Sequence, residues 1–224
     1  MNFEVVKQLV EYARKVEKEH NKNFRFTLTT NGVLLDDDVI EYLNKEMSNV
    51  VLSLDGRKEI HDHFRVDYNG KGSYDKILPM FKKLVAGRGD KEYYVRGTFT
   101  KKNLDFSEDV FALYNEGFDQ ISVEPVVGDS DEFALTEKEL PAVFKEYEVL
   151  AQRILDNEKK GGKFNFFHFM IDLDQGPCAI KRLRGCGCGN DYVAITPDGD
   201  IFPCHQFVGI DEYKMGNIDE GTLN

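Results

Sequence analysis

Cys178, Cys186, Cys188 and Cys204 are the only cysteines of this 224-residue chain, and all fall in its last quarter. They are punctuated by Gly185, Gly187, Gly189 and Gly199. Clustered thiols are metal donors, and glycines expose backbone N–H groups that hydrogen-bond to thiolate sulfur. In a reducing compartment such a set reads as thiols or metal ligands rather than disulfides. The spacing C-x7-C-x-C-x15-C fits poorly with the paired knuckles of zinc sites. Iron–sulfur clusters accept more varied spacing. On the residues alone, a zinc-binding or unliganded cysteine module stays open beside the iron–sulfur reading.

A second set of polar residues recurs where strands are expected to end. Thr29, Thr30, Asn31 and Gly32 close one segment, Ser53, Asp55 and Gly56 the next, Arg96 and Thr98 mark a third, and Glu124 precedes Pro125 in a fourth. Hydroxyls, an amide, carboxylates and a guanidinium at successive strand ends suit a ligand with an amino-acid end and a ribose. Two other features carry less. The run Gly70-Lys71-Gly72-Ser73 lacks the lysine–hydroxyl pair of a phosphate loop and follows no strand. His61 and His63 are expected as surface histidines on a loop.

The elements that must position these residues follow from periodicity. Val5, Val6, Leu9, Val10, Ala13 and Val16 mark one helical face over 5–19. Strands are expected at 24–30, 49–54, 92–100 and 119–124, with helices at 36–45, 73–86, 107–116 and 136–157. Thr136 and Glu139 stand at capping-box spacing to open the last helix. Helices between successive strands imply an α/β fold with a parallel sheet and right-handed crossovers, with ligands at the carboxyl ends of its strands. After Gly161-Gly162 the texture changes. The aromatic run 163–173 is strand-like, and 191–195 and 200–204 form a hairpin turning at Pro197-Asp198-Gly199. The expected division is 1–160 and 161–224.

Forty acidic against 29 basic residues give a formal charge of −11, which argues against bulk nucleic-acid binding. No apolar run approaches the ~18–20 residues of a membrane span, and Met1 opens no secretory signal pattern. The expectation is a cytoplasmic protein with no membrane partner.

Gly199-x4-Cys204, with Cys186 upstream, resembles the opening of the SPASM/twitch auxiliary-cluster domain of radical S-adenosylmethionine (SAM) enzymes. TTNG at 29–32, SLDG at 53–56, KEIHDHFR at 58–65 and GKGSYDKI at 70–77 resemble the middle of the radical SAM partial (β/α) barrel. GPCAIKRLRGCG at 176–187 and YVAITPDGDIFPCHQFVG at 192–209 are similar to the maturases of six-cysteine (SCIFF) peptides. The CxxxCxxC loop, the GGEP strand and the later auxiliary cysteines of the family do not occur. The expectation is thus a partial TIM-type barrel truncated at its N-terminus, followed by part of a small SPASM domain, and inactive by itself.

The resemblance implies that the full enzyme cleaves SAM to a 5′-deoxyadenosyl radical and forms thioether crosslinks in a cysteine-rich precursor peptide. It implies Thr30, Asn31, Ser53, Asp55 and Arg96 around SAM. It implies Cys178, Cys186 and Cys204 on an auxiliary [4Fe–4S] cluster, with Cys188 a spare and a second [4Fe–4S] cluster elsewhere in the full enzyme. The runner-up is an anaerobic sulfatase-maturating enzyme. That group carries an Asp after the Pro-Cys pair where this chain has His205, a weaker catalytic candidate.

Overall fold

The computed structural model describes residues 2–128, 130, 132–171 and 185–223. They divide into two compact units at Met170/Ile171. The first runs α1 (Phe3–His20), β1 (Thr27–Thr30), α2 (Asp37–Glu46), β2 (Asn49–Ser53), α3 (Lys58–Phe64), α4 (Tyr74–Ala86), β3 (Glu92–Phe99), α5 (Phe106–Asn115), β4 (Gln120–Pro125), α6 (Leu140–Lys159) and β5 (Asn165–Phe166). All strand pairs are parallel, and the sheet order is β1-β2-β3-β4-β5. Strands that neighbour one another in sequence order, with helices crossing between them, are the winding of a βα barrel segment.

Period-two alternation decides which face does what. Val50, Leu52, Val95, Ile121 and Val123 are fully buried. They pack in one core with Ile40 and Leu43 of α2, Ile77, Phe81 and Leu84 of α4, Val110 and Leu113 of α5 and Leu150 of α6. Each such side chain contributes about 1.5–3 kcal/mol by leaving water. The alternate residues, Ser53, Tyr94, Arg96, Thr98 and Glu124, stand on the opposite face and keep solvent access.

Local chemistry fixes the helix ends. Asp36 caps α2, its Oδ1 accepting the Val39 N–H at 2.9 Å. The other end of α2 is closed by Arg88, only 4% exposed. Its guanidinium donates to the carbonyls of Leu43, Met47 and Ser48, and to Glu92 in β3. One buried cation thereby ties the last turn of α2 and the segment after it to β3, while Lys91 Nζ takes the carbonyls of Asn44 and Lys45 that the helix leaves orphaned.

Four local features depart from the sequence reading. Residues Lys58–Phe64 form helix α3 rather than a loop, and His61 on its inner face is completely buried rather than at the surface. Burial is tolerated because both ring nitrogens are partnered, by the Asp55 N–H and the Ser73 hydroxyl. Thr136 does bond Glu139, through its N–H at 2.8 Å and its hydroxyl at 2.7 Å, but this closes a turn ahead of α6. The helix itself begins at Leu140 with Pro141 in its first turn. Among the described residues of the aromatic run only Asn165–Phe166 is strand, and Phe167–Phe169 tighten into a 3₁₀ turn. Because β5 joins β4 in the parallel sheet, the first unit extends to Met170 rather than ending near 160.

The second unit is a four-stranded antiparallel sheet: β6 (Ala194–Ile195), β7 (Asp200–Phe202), β8 (Gly216–Asn217) and β9 (Thr222–Leu223), in that order. The expected hairpin is β6–β7. Its turn closes through Gly199 N–H to Thr196 O at 3.0 Å, with Gly199 at φ +81°. Buried Asn217 braces the turn, its Nδ2 donating to Asp198 O and Asp200 Oδ1. Strands β8 and β9 have no counterpart in the sequence reading.

Candidate functional site

The register of the parallel sheet sets out a polar row. Ser53 pairs with Arg96, Arg96 with Ser122, and Thr98 with Glu124. Ser53, Arg96 and Ser122 therefore stand abreast on the open face, at the carboxyl end of β2 and midway along β3 and β4. Arg96 Nη2 donates to Glu124 Oε2 at 2.5 Å, and Ser122 Oγ donates to Glu124 Oε1 at 3.0 Å. Partial burial pushes the Glu124 carboxyl up, but Arg96 and the Ser122 hydroxyl outweigh it and hold the group below the usual range, hence charged. Gly97, on the opposite face from Arg96, leaves room for the chain that follows β2. A Cβ there would lie 2.8 Å from both Leu54 O and Asp55 Cα.

Thr29, Thr30, Asn31 and Ser53 line a cavity of about 310 Å³ floored by Leu28, Leu35 and Val39. Thr30 pairs with Leu52 and so lies on the helix-facing side of the strand. Its Oγ1 accepts the Gly32 N–H at 3.1 Å, while Asn31 Oδ1 accepts the Val33 N–H at 3.3 Å. Gly32 is needed for a left-handed turn at φ +78°, and its missing Cβ would sit 2.5 Å from the Phe81 ring. Three of the five expected ligand residues thus share one cavity, and Arg96 stands beside Ser53. Asp55 is turned inward. It is 2% exposed, accepts from Arg65 Nε at 2.5 Å and Nη2 at 3.0 Å, and takes the Thr98 N–H at 3.1 Å.

Ser122, Tyr147 and His168 belong to the same end of the sheet and are absent from the sequence reading. The Tyr147 hydroxyl meets His168 Nδ1 at 2.8 Å, and His168 acts electrostatically on Glu124. Tyr94, T-shaped on Phe167 at 5.9 Å and directed at Met170 Sδ at 3.9 Å, lies toward the amino ends of β3 and β4, with Asp119 and Gln120. A lone histidine in an aromatic run is the one sequence signal that pointed here.

In the second unit, Cys186 is exposed, Cys188 half-buried and Cys204 buried. The Cys188 N–H, the Tyr192 hydroxyl (3.8 Å) and the Cys188 thiol all hydrogen-bond to Cys186 sulfur, holding its thiol below the usual range. Cys188 is pushed up by that thiol bond, by burial, and by charge at Cys186 and Cys204. Gly185, Gly187 and Gly189 at φ +64°, +79° and +76° form the loop around them. At Gly187 a Cβ would strike the Asp191 carboxylate at 2.3 Å. Soft thiolate sulfur with N–H and O–H donors aimed at it is the donor chemistry of an iron–sulfur site. Among the described residues, no three His, Cys, Asp or Glu side chains yet stand in metal-holding geometry. Cys178 lies outside the described residues. His205 is exposed and opens the 3₁₀ turn His205–Phe207 directly after Cys204. No helix among the described residues is long and apolar enough to cross a membrane.

Residues 186–224 match SPASM, an iron–sulfur cluster-binding domain. A cysteine-type anaerobic sulfatase-maturating enzyme of Clostridium novyi is 26% identical over 231 residues, covering 96% of this chain and 58% of that protein. The antilisterial bacteriocin subtilosin biosynthesis protein AlbA of Bacillus subtilis is 28% identical over 204 residues, 87% of this chain and 40% of that protein. This chain therefore spans a little over half the length of the first of these relatives and less of the second. The solved structure of native anSMEcpe with bound AdoMet superposes with a TM-score of 0.79 at 21% identity, covering 99% of this chain and 61% of that one. The last likeness establishes the fold. With that barrel fold followed by a SPASM segment, the chain carries the two-part architecture of the radical SAM enzymes that have a SPASM domain.

Proposed function

We propose that this chain works within a radical SAM peptide maturase that forms thioether crosslinks from cysteines of a ribosomally made peptide. The observation that carries the reading is the polar row Ser53–Arg96–Ser122, with Glu124, beside the cavity of Thr30 and Asn31. It offers hydroxyls and an amide to a ribose and a guanidinium to a carboxylate. When bound, SAM and its partner cluster supply the hydrogen-atom abstraction that activates the peptide. The chain's own residues bind and orient. Asn31 lies toward the amino-acid or ribose end, with Thr30 beside it holding the Gly32 turn, Ser53 toward a ribose hydroxyl, and Arg96 toward the carboxylate. Cys178, Cys186 and Cys204 would hold the auxiliary [4Fe–4S] cluster, with the substrate thiolate as a further donor.

A second reading, oxidation of a sulfatase cysteine or serine to formylglycine, is supported by the named Clostridium novyi relative. His205 in place of the acid after the Pro-Cys pair favours the crosslinking reading. The test is anaerobic turnover of the full-length protein with a cysteine-rich core peptide and, separately, a sulfatase-site peptide. Mass spectrometry should show loss of a hydrogen pair per crosslink, and thiol alkylation should fall in step. An aldehyde on the sulfatase peptide with no thioether on the other would replace the first reading with the second.

A further inference from the structure

An exposed arginine binds a carboxylate well only if something holds its long side chain in place. The Arg96 side chain is 54% exposed, and freezing such a side chain on binding costs conformational entropy. Here the restraint is already built. Glu124, on the neighbouring strand, takes Arg96 Nη2 with Oε2 and is itself seated by Ser122 through Oε1. Both ends of the arrangement are set by backbone register, Arg96 opposite Ser122 and Thr98 opposite Glu124.

We infer that Glu124 is a positioning residue, which fixes the Arg96 guanidinium so that its remaining N–H groups are presented to the carboxylate of the ligand's amino-acid end. This rests on the reading of Arg96 given above. A carboxylate beside a guanidinium cancels much of its charge at a distance. Recognition then depends on the fork geometry of Arg96 rather than on net positive potential, which selects for a planar carboxylate and against substitution by Lys.

That distinction gives the test its sign. If Glu124 merely opposed the ligand's negative charge, Glu124→Gln would tighten binding; if it positions Arg96, the same change weakens it. The experiment is calorimetric titration of the anaerobic full-length holoenzyme with two unreactive probes. S-adenosylhomocysteine carries the amino-acid end, and 5′-methylthioadenosine lacks it. For Glu124→Gln the expected result is roughly tenfold weaker S-adenosylhomocysteine binding, the effect of about 1.4 kcal/mol. Methylthioadenosine binding should not change. Ser122→Ala, which keeps the carboxylate but removes its seat, should give a smaller loss with the same selectivity, and serves if the first variant fails to fold. Arg96→Ala and Arg96→Lys should both lose S-adenosylhomocysteine selectively. If Arg96→Ala weakens both probes equally, or neither, the reading of Arg96 fails. If Arg96→Ala is selective but Glu124→Gln and Ser122→Ala are silent, or tighten binding, the reading stands and the positioning inference is overturned.

Discussion

Asp55 and His61 are bound through the backbone of one and the ring of the other: the Asp55 N–H donates to His61 Nδ1 at 3.3 Å. That bond leaves Nε2 as the protonated nitrogen, and it meets Ser73 Oγ at 3.0 Å, whose hydroxyl in turn donates to Arg65 O. The end of β2, helix α3 and the start of α4 are joined through one neutral imidazole.

Burial, the first cause, and the charge of Arg65 hold the His61 pKa below its usual value, against Asp55 and Asp62. A histidine with a lowered folded-state pKa binds fewer protons folded than unfolded. Its contribution is complete above the unfolded value of about 6.5 and is lost as pH falls through the folded one. Urea melts of wild type and His61→Gln should therefore differ by a gap that narrows below about pH 6.5. A gap constant with pH would refute the assignment of the neutral ring.

Asp109 is fully buried and receives Arg57 Nε and the Arg57 N–H through Oδ1, and Asn103 Nδ2 through Oδ2. Asp109→Ala leaves Arg57 held by Asp105 alone and strands the Arg57 N–H and the Asn103 amide in the interior. A loss of about 3–5 kcal/mol in denaturant stability is expected, as for other broken buried pairs. Asp105→Ala, which removes the more exposed partner of Arg57, should cost less than about 1 kcal/mol.

Gly56 holds φ +121°, and a Cβ there would fall 2.2 Å from Asp109 Cβ. Gly56→Ala should lower the melting temperature. Asp109→Gly in the same chain should add less damage than it does in wild type, because the clash is gone. Strict additivity would show that the two do not meet.

In the second unit, Cys186→Ala and Cys204→Ala in the full-length protein should each remove iron and sulfide equivalent to one cluster. Cys188→Ala should retain most of it. Iron analysis with Mössbauer spectra checks this, and an equal loss in Cys188→Ala would make Cys188 a ligand.

The barrel segment was legible because its code is redundant. Alternation in NVVLS and EYYVRGTF, Asp36 at a helix start and helical spacing between strands all say the same thing. What was not legible depends on contacts between distant positions. Nothing local marks His61 as buried, since its partners lie at Asp55 and Ser73. Asp55 has the spacing of a strand-end ligand residue, but Arg65 and the Thr98 N–H draw its carboxylate inward. Thr136 and Glu139 form their bonds and still do not open the helix, because Pro141 suits the first turn better. The β8–β9 pairing rests on two-residue strands, too short for any period to register.

Gly97 carries a consequence for how this site could change. Its missing Cβ leaves room for Leu54 O and Asp55 Cα, just beyond the end of β2, and the row itself is spaced by the sheet at about 4.8 Å per strand. The frame thus acts as a ruler, and the side chains on it as interchangeable tips. On the proposed reading, replacing Ser53 or Arg96 would alter which chemical group is gripped while leaving the spacing of the grips untouched, so new ligand preferences are reachable by single substitutions without rebuilding the core.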